Sequence, residues 1–107
     1  MVAESAQGTD EKTQAIIADL VRETAQFYWV DLQRFYARGR VLHVANGANL
    51  LEIAAILAQD KAALFKSYLD QGMVALATDD NAKAWVEANA QLWTVVVAPW
   101  ILVQQER

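Results

Sequence analysis

The chain has 107 residues, 55 % of them hydrophobic and 21 % charged, with a formal net charge of −4 and no cysteine. Such a length makes one domain able to bury roughly two thirds of its unfolded surface, and the composition is that of a globular chain rather than a disordered one. The missing cysteines exclude disulfides, thiol nucleophiles, zinc ribbons and iron–sulfur ligation, and the acidic balance opposes phosphate binding over the surface as a whole.

Residues 1–8 read as a frayed tail and residues 9–107 as a single domain. The opening MVAESAQGTDEK lacks the basic start and apolar core of a signal peptide, so the cytoplasm is the expected location. Thr9 or Asp10 is placed to cap a first helix carrying Ile16, Ile17, Leu20, Val21 and Thr24 at helical spacing. Its outer face, Asp19, Arg22, Glu23 and Gln26, mixes signs as a solvated face does. In FYWV, Phe27 to Val30, aromatic and β-branched side chains lose rotamer freedom in a helix, which predicts a kink or break. Trp29, Leu32, Phe35 and Tyr36 then share one face of a second helix that stops at Gly39. Residues 10–38 are compatible with one kinked helix or with two.

RVLHVA, Arg40 to Ala45, reads as a short strand. LLEIAAILA lacks the alternation of a returning strand and reads as a third helix, with Asn49 and Glu52 at the spacing of a capping box. Asp60 is expected to cap a fourth helix whose stripe of Leu64, Phe65, Tyr68 and Leu69 ends at Gly72. MVALA, Met73 to Ala77, is a second strand. Thr78, Asp79 and Asp80 offer caps and negative charge to a fifth helix, Ala82 to Gln91, carrying Trp85. Leu32, Phe35, Tyr36, Gly39 and Val41 are echoed by Phe65, Tyr68, Leu69, Gly72 and Val74, one helix-to-strand turn used twice.

From Trp93 to Val103 the only polar side chain is Thr94, and Pro99 stands in the middle. The run is far short of the about 20 apolar residues that span a membrane. Its valines, Ile101 and two tryptophans have strand composition, and both alternating faces are apolar, so the strand should be covered on each side. Pro99 has no N–H for a ladder, which makes Trp93 to Ala98 the core segment and Trp100 to Gln104 its bent continuation. The expected fold is α+β: about five helices on a small three-stranded antiparallel sheet, in the winged-helix-like order α-α-β-α-α-β-α-β. Two ways of covering the strand's second face are open. The fifth helix can fold back through Trp85, or a second copy can meet the chain at Trp93, Trp100 and Leu102, with Trp100 as anchor.

The middle of the chain, LLEIAAIL, AQD, KAALFKSYL and DQGMVALA, resembles a winged helix-turn-helix, with Ile53, Ala54, Leu57 and Leu64 at its apolar positions. Ala58 stands where that motif's turn often has Gly, and an extra helix occupies the wing. From about Leu32 to Gln104, the strings FYARGRVLHV, LLEIAAILAQD, KAWVEANAQLW and above all WTVVVAPWILVQ are similar to the bacterial family called domain of unknown function 2288. That resemblance implies a small bacterial protein, and no catalytic or binding residue is carried over from it.

The chemistry available is narrow. His43 is the only histidine, so a metal site of several imidazoles is excluded and any Ser-His-Asp triad would have to recruit it. Glu52 has the apolar neighbours of a general base, but its capping position gives it a structural role first. Asp79 and Asp80 are better placed to cap a helix than to hold a cation, and the scattered glycines make no phosphate-cradling loop. Arg34, Arg38 and Arg40 form the only basic cluster, near a helix end that welcomes positive charge, with Asp31 three residues from Arg34. On the would-be recognition helix the outward positions Ala63, Lys66, Ser67 and Asp70 sum to no net charge, which disfavours nucleic acid. The sequence therefore points to a cytoplasmic, non-enzymatic interaction module without cofactor, metal or membrane, self-associating as a homodimer. A DNA-binding regulator and a small-ligand binder or enzyme are the alternatives.

Overall fold

The computed structural model describes residues 11–106. In chain order it contains α1 (Glu11–Glu23), β1 (Ala25–Tyr28), a 3-10 turn (Trp29–Asp31), α2 (Gln33–Ala37), β2 (Val41–Val44) and α3 (Leu50–Ala58). There follow α4 (Ala62–Asp70), β3 (Val74–Leu76), α5 (Asp79–Ala88), β4 (Gln91–Val97) and β5 (Trp100–Gln104). The expected tail 1–8 and the cap at Thr9 or Asp10 lie outside the described residues.

The sheet is five-stranded and mixed, in the order β1-β4-β5-β2-β3, with β2 and β5 parallel and the other neighbours antiparallel. This corrects the three-stranded antiparallel sheet and its winged-helix-like order, and two local events account for it. The break at FYWV goes beyond a kink: Ala25 to Tyr28 leave the helix and pair with Thr94 to Gln91 as an edge strand, before the 3-10 turn and the short α2. At Pro99 the chain reverses, so β4 and β5 are hairpin partners, Val97 opposite Trp100 and Val95 opposite Leu102, rather than a strand and its bent continuation. The Ala98–Pro99 peptide is cis. The proline's missing N–H falls in the turn, where no ladder bond is lost.

The registers sort the side chains onto two faces. On the first, Val95, Leu102, Leu42, Val44 and Val74 pack with Leu20 of α1 and with Leu50, Leu51, Ile53, Ala54 and Ala55 of α3. On the second, Leu92, Val103, Ile101 and Val41 pack with Trp29, Leu32 and Trp85. The 3-10 turn, α2 and α5 thus cover much of the second face within one chain, the role foreseen for Trp85. Leu102 is fully buried and belongs to the core, not to a surface. Val96, on the second face, stays 52 % exposed.

Helices α2 to α5 all end in the same way. Gly39, Asp60, Gly72 and Asn89 take φ of 72°, 55°, 77° and 49°, the left-handed region where glycine pays no Cβ penalty and Asp or Asn pays a reduced one. Each donates its N–H three residues back, as Gly39 does to Tyr36 (2.9 Å), and the following residue donates five back, as Arg40 does to Phe35 (3.0 Å) and Met73 to Tyr68 (3.0 Å). This is the Schellman arrangement, which satisfies the last carbonyls of a helix. It also accounts for the repeated turn and corrects Asp60, which closes α3 instead of capping α4. The N-cap position of α4 is Lys61, with no side-chain cap bond. Thr78 and Asn81 make a reciprocal capping box, so α5 begins at Asp79 and not at Ala82. Asn49 accepts from the Glu52 N–H (3.1 Å), but the Glu52 carboxylate accepts instead from the Tyr68 hydroxyl (2.8 Å), leaving that box half-formed.

Candidate functional site

Helix α4 was expected to bury its stripe of Leu64, Phe65, Tyr68 and Leu69, yet none of its residues is buried. The cause is geometric. Helix α3 occupies the central strands, and the short turn at Asp60 sends α4 out over β3, a strand only three residues long. Between α4 and the sheet lies an open apolar cleft of about 440 Å³. Leu42, Val74, Leu76 and Trp100 line it from the strands, and Leu57, Phe65 and Leu69 from the helices. At its rim Leu69 and Leu76 are 41 % and 55 % exposed.

The cleft opens beside a free sheet edge. Ala77 donates to Val41 and Ala45 donates to Met73, so by antiparallel alternation Val74 and Leu76 turn their N–H and C=O groups away from β2. MVALA contains no charge and no proline, the residues with which edge strands discourage pairing. The missing charge and proline are legible in the sequence, whereas the position of this strand at the edge is not.

Of the residues singled out from sequence, Trp100 lines this cleft, half-buried, and Arg40 lies over its ring at 5.7 Å. Trp93 is half-buried against the first-face core. The three arginines do not act as one patch: Arg34 lies over Phe35, which packs on the second face, while Arg40 and Trp100 stand on the first, and Arg38 is exposed beyond the end of α2. A smaller hollow of about 250 Å³ at the start of α3 is lined in part by Asn49, Glu52, Tyr68 and Met73. Burial, and then the Glu52 carboxylate, push the Tyr68 hydroxyl up to about 12, so it remains a neutral donor. A second phenol, Tyr36, is raised chiefly by its hydrogen bond to Asp79.

His43 and Glu52 are not brought together, because His43 projects to the second face and meets the Trp85 ring edge-on at 5.1 Å. Among the described residues no group of three or more His, Cys, Asp or Glu side chains is placed to hold a metal ion. No helix there is long and apolar enough to cross a membrane. Burial lowers the His43 pKa below its ordinary 6.5. The unfolded chain therefore takes up this proton first, and the stability present above about pH 6.5 is lost as pH falls through the lower native value. Urea midpoints between about pH 7.5 and pH 5 should fall further for the wild type than for His43→Gln, and parallel profiles would show that the ring titrates freely.

Comparison with known proteins adds two matches. Residues 15–105 match the family described as "Protein of unknown function (DUF2288)". The NMR solution structure of PA1075 from Pseudomonas aeruginosa is similar over 92 % of each chain, with 37 % sequence identity and a TM-score of 0.76. No curated protein matches the chain.

Proposed function

Since the chain belongs to the DUF2288 family of proteins of unknown function, its role has to be read from its own surfaces, and we propose that it is a non-catalytic, self-associating interaction module of the bacterial cytoplasm. The observation that carries this reading is the unburied apolar side of α4, facing exposed Leu76 across a cleft at an unguarded sheet edge. Two copies of β3 pairing antiparallel about a two-fold axis satisfy the outward groups of Val74 and Leu76 on both sides. The same pairing sets Leu76 of each copy against the partner's Val74 and removes the apolar rim from water. The interface thus moves from the predicted set of Trp93, Trp100 and Leu102 to the β3 edge, with Trp100 in the wall of the cleft behind it.

Sedimentation equilibrium tests this. The wild type is expected to be a dimer at micromolar concentration, and Leu76→Lys, at a position already half in water, is expected to weaken it by at least about tenfold without changing the circular dichroism spectrum. A wild-type monomer across that range would overturn the reading.

A further inference from the structure

One wall of the cleft, Trp100, carries a charge on its ring. Arg40 precedes β2 on the same face as Leu42, and its carbonyl accepts from the Ile101 N–H (2.8 Å), which holds its backbone beside Trp100 at the start of β5. Its guanidinium carbon lies 5.7 Å from the Trp100 ring centre. Among the described residues no carboxylate pairs with it, whereas Lys66 on α4 is engaged by Asp70 at 3.1 Å. Trp100 is thus both the platform for a free cation and a wall of the apolar hollow.

A volume of about 440 Å³ falls in the ordinary range of small-molecule sites, where apolar walls supply affinity and one or two polar groups fix orientation. A guanidinium stacked on an aromatic face keeps its N–H edge free for the two oxygens of a carboxylate. Apolar walls with a cation over one of them, Trp100, complement a ligand with an apolar body and one anionic head. We propose that the cleft binds a medium-chain free carboxylate, its tail against Leu57, Phe65 and Trp100 and its head on Arg40. This goes beyond self-association: a second copy covers the rim and the edge, whereas the ligand fills the interior.

The test is a titration of the full chain, followed by amide NMR shifts, with decanoate, decanol and decyltrimethylammonium below their micelle concentrations. Decanoate is expected to give saturable shifts at Leu42, Leu57, Phe65 and Leu76, with decanol and the cation each bound about tenfold more weakly. Arg40→Gln, at an exposed position, is expected to cost decanoate that factor and to leave decanol unchanged. Absence of saturable shifts, shifts elsewhere, equal binding of decanol and decanoate, or an unaffected Arg40→Gln would each overturn the proposal. Sedimentation of the same samples separates the two readings: a monomer that binds decanoate through Arg40 refutes the dimer alone, and a dimer that ignores decanoate refutes the ligand alone.

Discussion

Leu102→Asp is expected to abolish cooperative folding, while Val96→Asp leaves the melting temperature almost unchanged. Leu102 is fully buried on β5, between Val95 of β4 and Leu42 of β2. An ionised carboxylate there has no partner, and its cost of several kcal/mol is comparable with the whole stability of about 5 to 15 kcal/mol for a domain. Val96 is 52 % exposed, and a substitution at such a site costs about 0.5 kcal/mol. Thermal melts by circular dichroism separate the pair. Unfolding by Val96→Asp would show that something beyond one chain covers that part of the second face.

Trp85→Ala is the other severe substitution, expected to cost about 3 to 5 kcal/mol in urea denaturation. Trp85 is the one buried residue of α5. Its ring lies 4.9 Å from that of Trp29 at a tilt of 59° and 5.1 Å from that of His43. Removing it opens a cavity between the 3-10 turn and the sheet and takes from α5 its only fully buried anchor. Near-ultraviolet dichroism from the coupled indoles should fall with it. A loss below about 1 kcal/mol would mean that α5 is held by its capping box and turns, not by packing.

The positions of Leu102, Val96 and Trp85 bear on what a sequence discloses. The apolarity of the C-terminal run on both alternating faces foretold a strand with cores on each side, and Val95 and Leu92 do enter one each, but it did not foretell that Val96 stays 52 % exposed. It could not show that Pro99 turns the chain back, since a proline at a strand end and one in a hairpin leave the same trace. The four residues of β1 carried no period of their own, and their conformation is imposed by Gln91 to Thr94, far away in sequence. Asp60 misled because Asp serves both as an N-cap and as a left-handed C-terminal residue, and here the helix before it had the stronger claim. At the candidate site, Trp100, Arg40 and the α4 stripe were all visible. What was hidden is that the stripe stands off the sheet, which depends on how far a three-residue strand reaches beneath a nine-residue helix.

The place of β5 in the sheet also makes the two halves of the domain depend on it. It is the last strand among the described residues yet lies at the centre of the sheet, hydrogen-bonded to β4 on one side and to β2 on the other. Its Gln104 side-chain amide donates to the Ala45 and Ala48 carbonyls at 2.8 and 2.7 Å, holding the loop before α3. Without β5, β2 with β3 and β1 with β4 are two-stranded pieces that meet only through the helices packed on them, and an isolated pair of strands is marginal in water. The parallel ladder that joins them, Val41 with Ile101, spans most of the sequence, the kind of contact that folds late. A chain cut before Trp100 lacks the parallel ladder between its two strand pairs, so β5 works as a keystone: without it Val95 of β4 and Leu42 of β2 lose the Leu102 that lies between them.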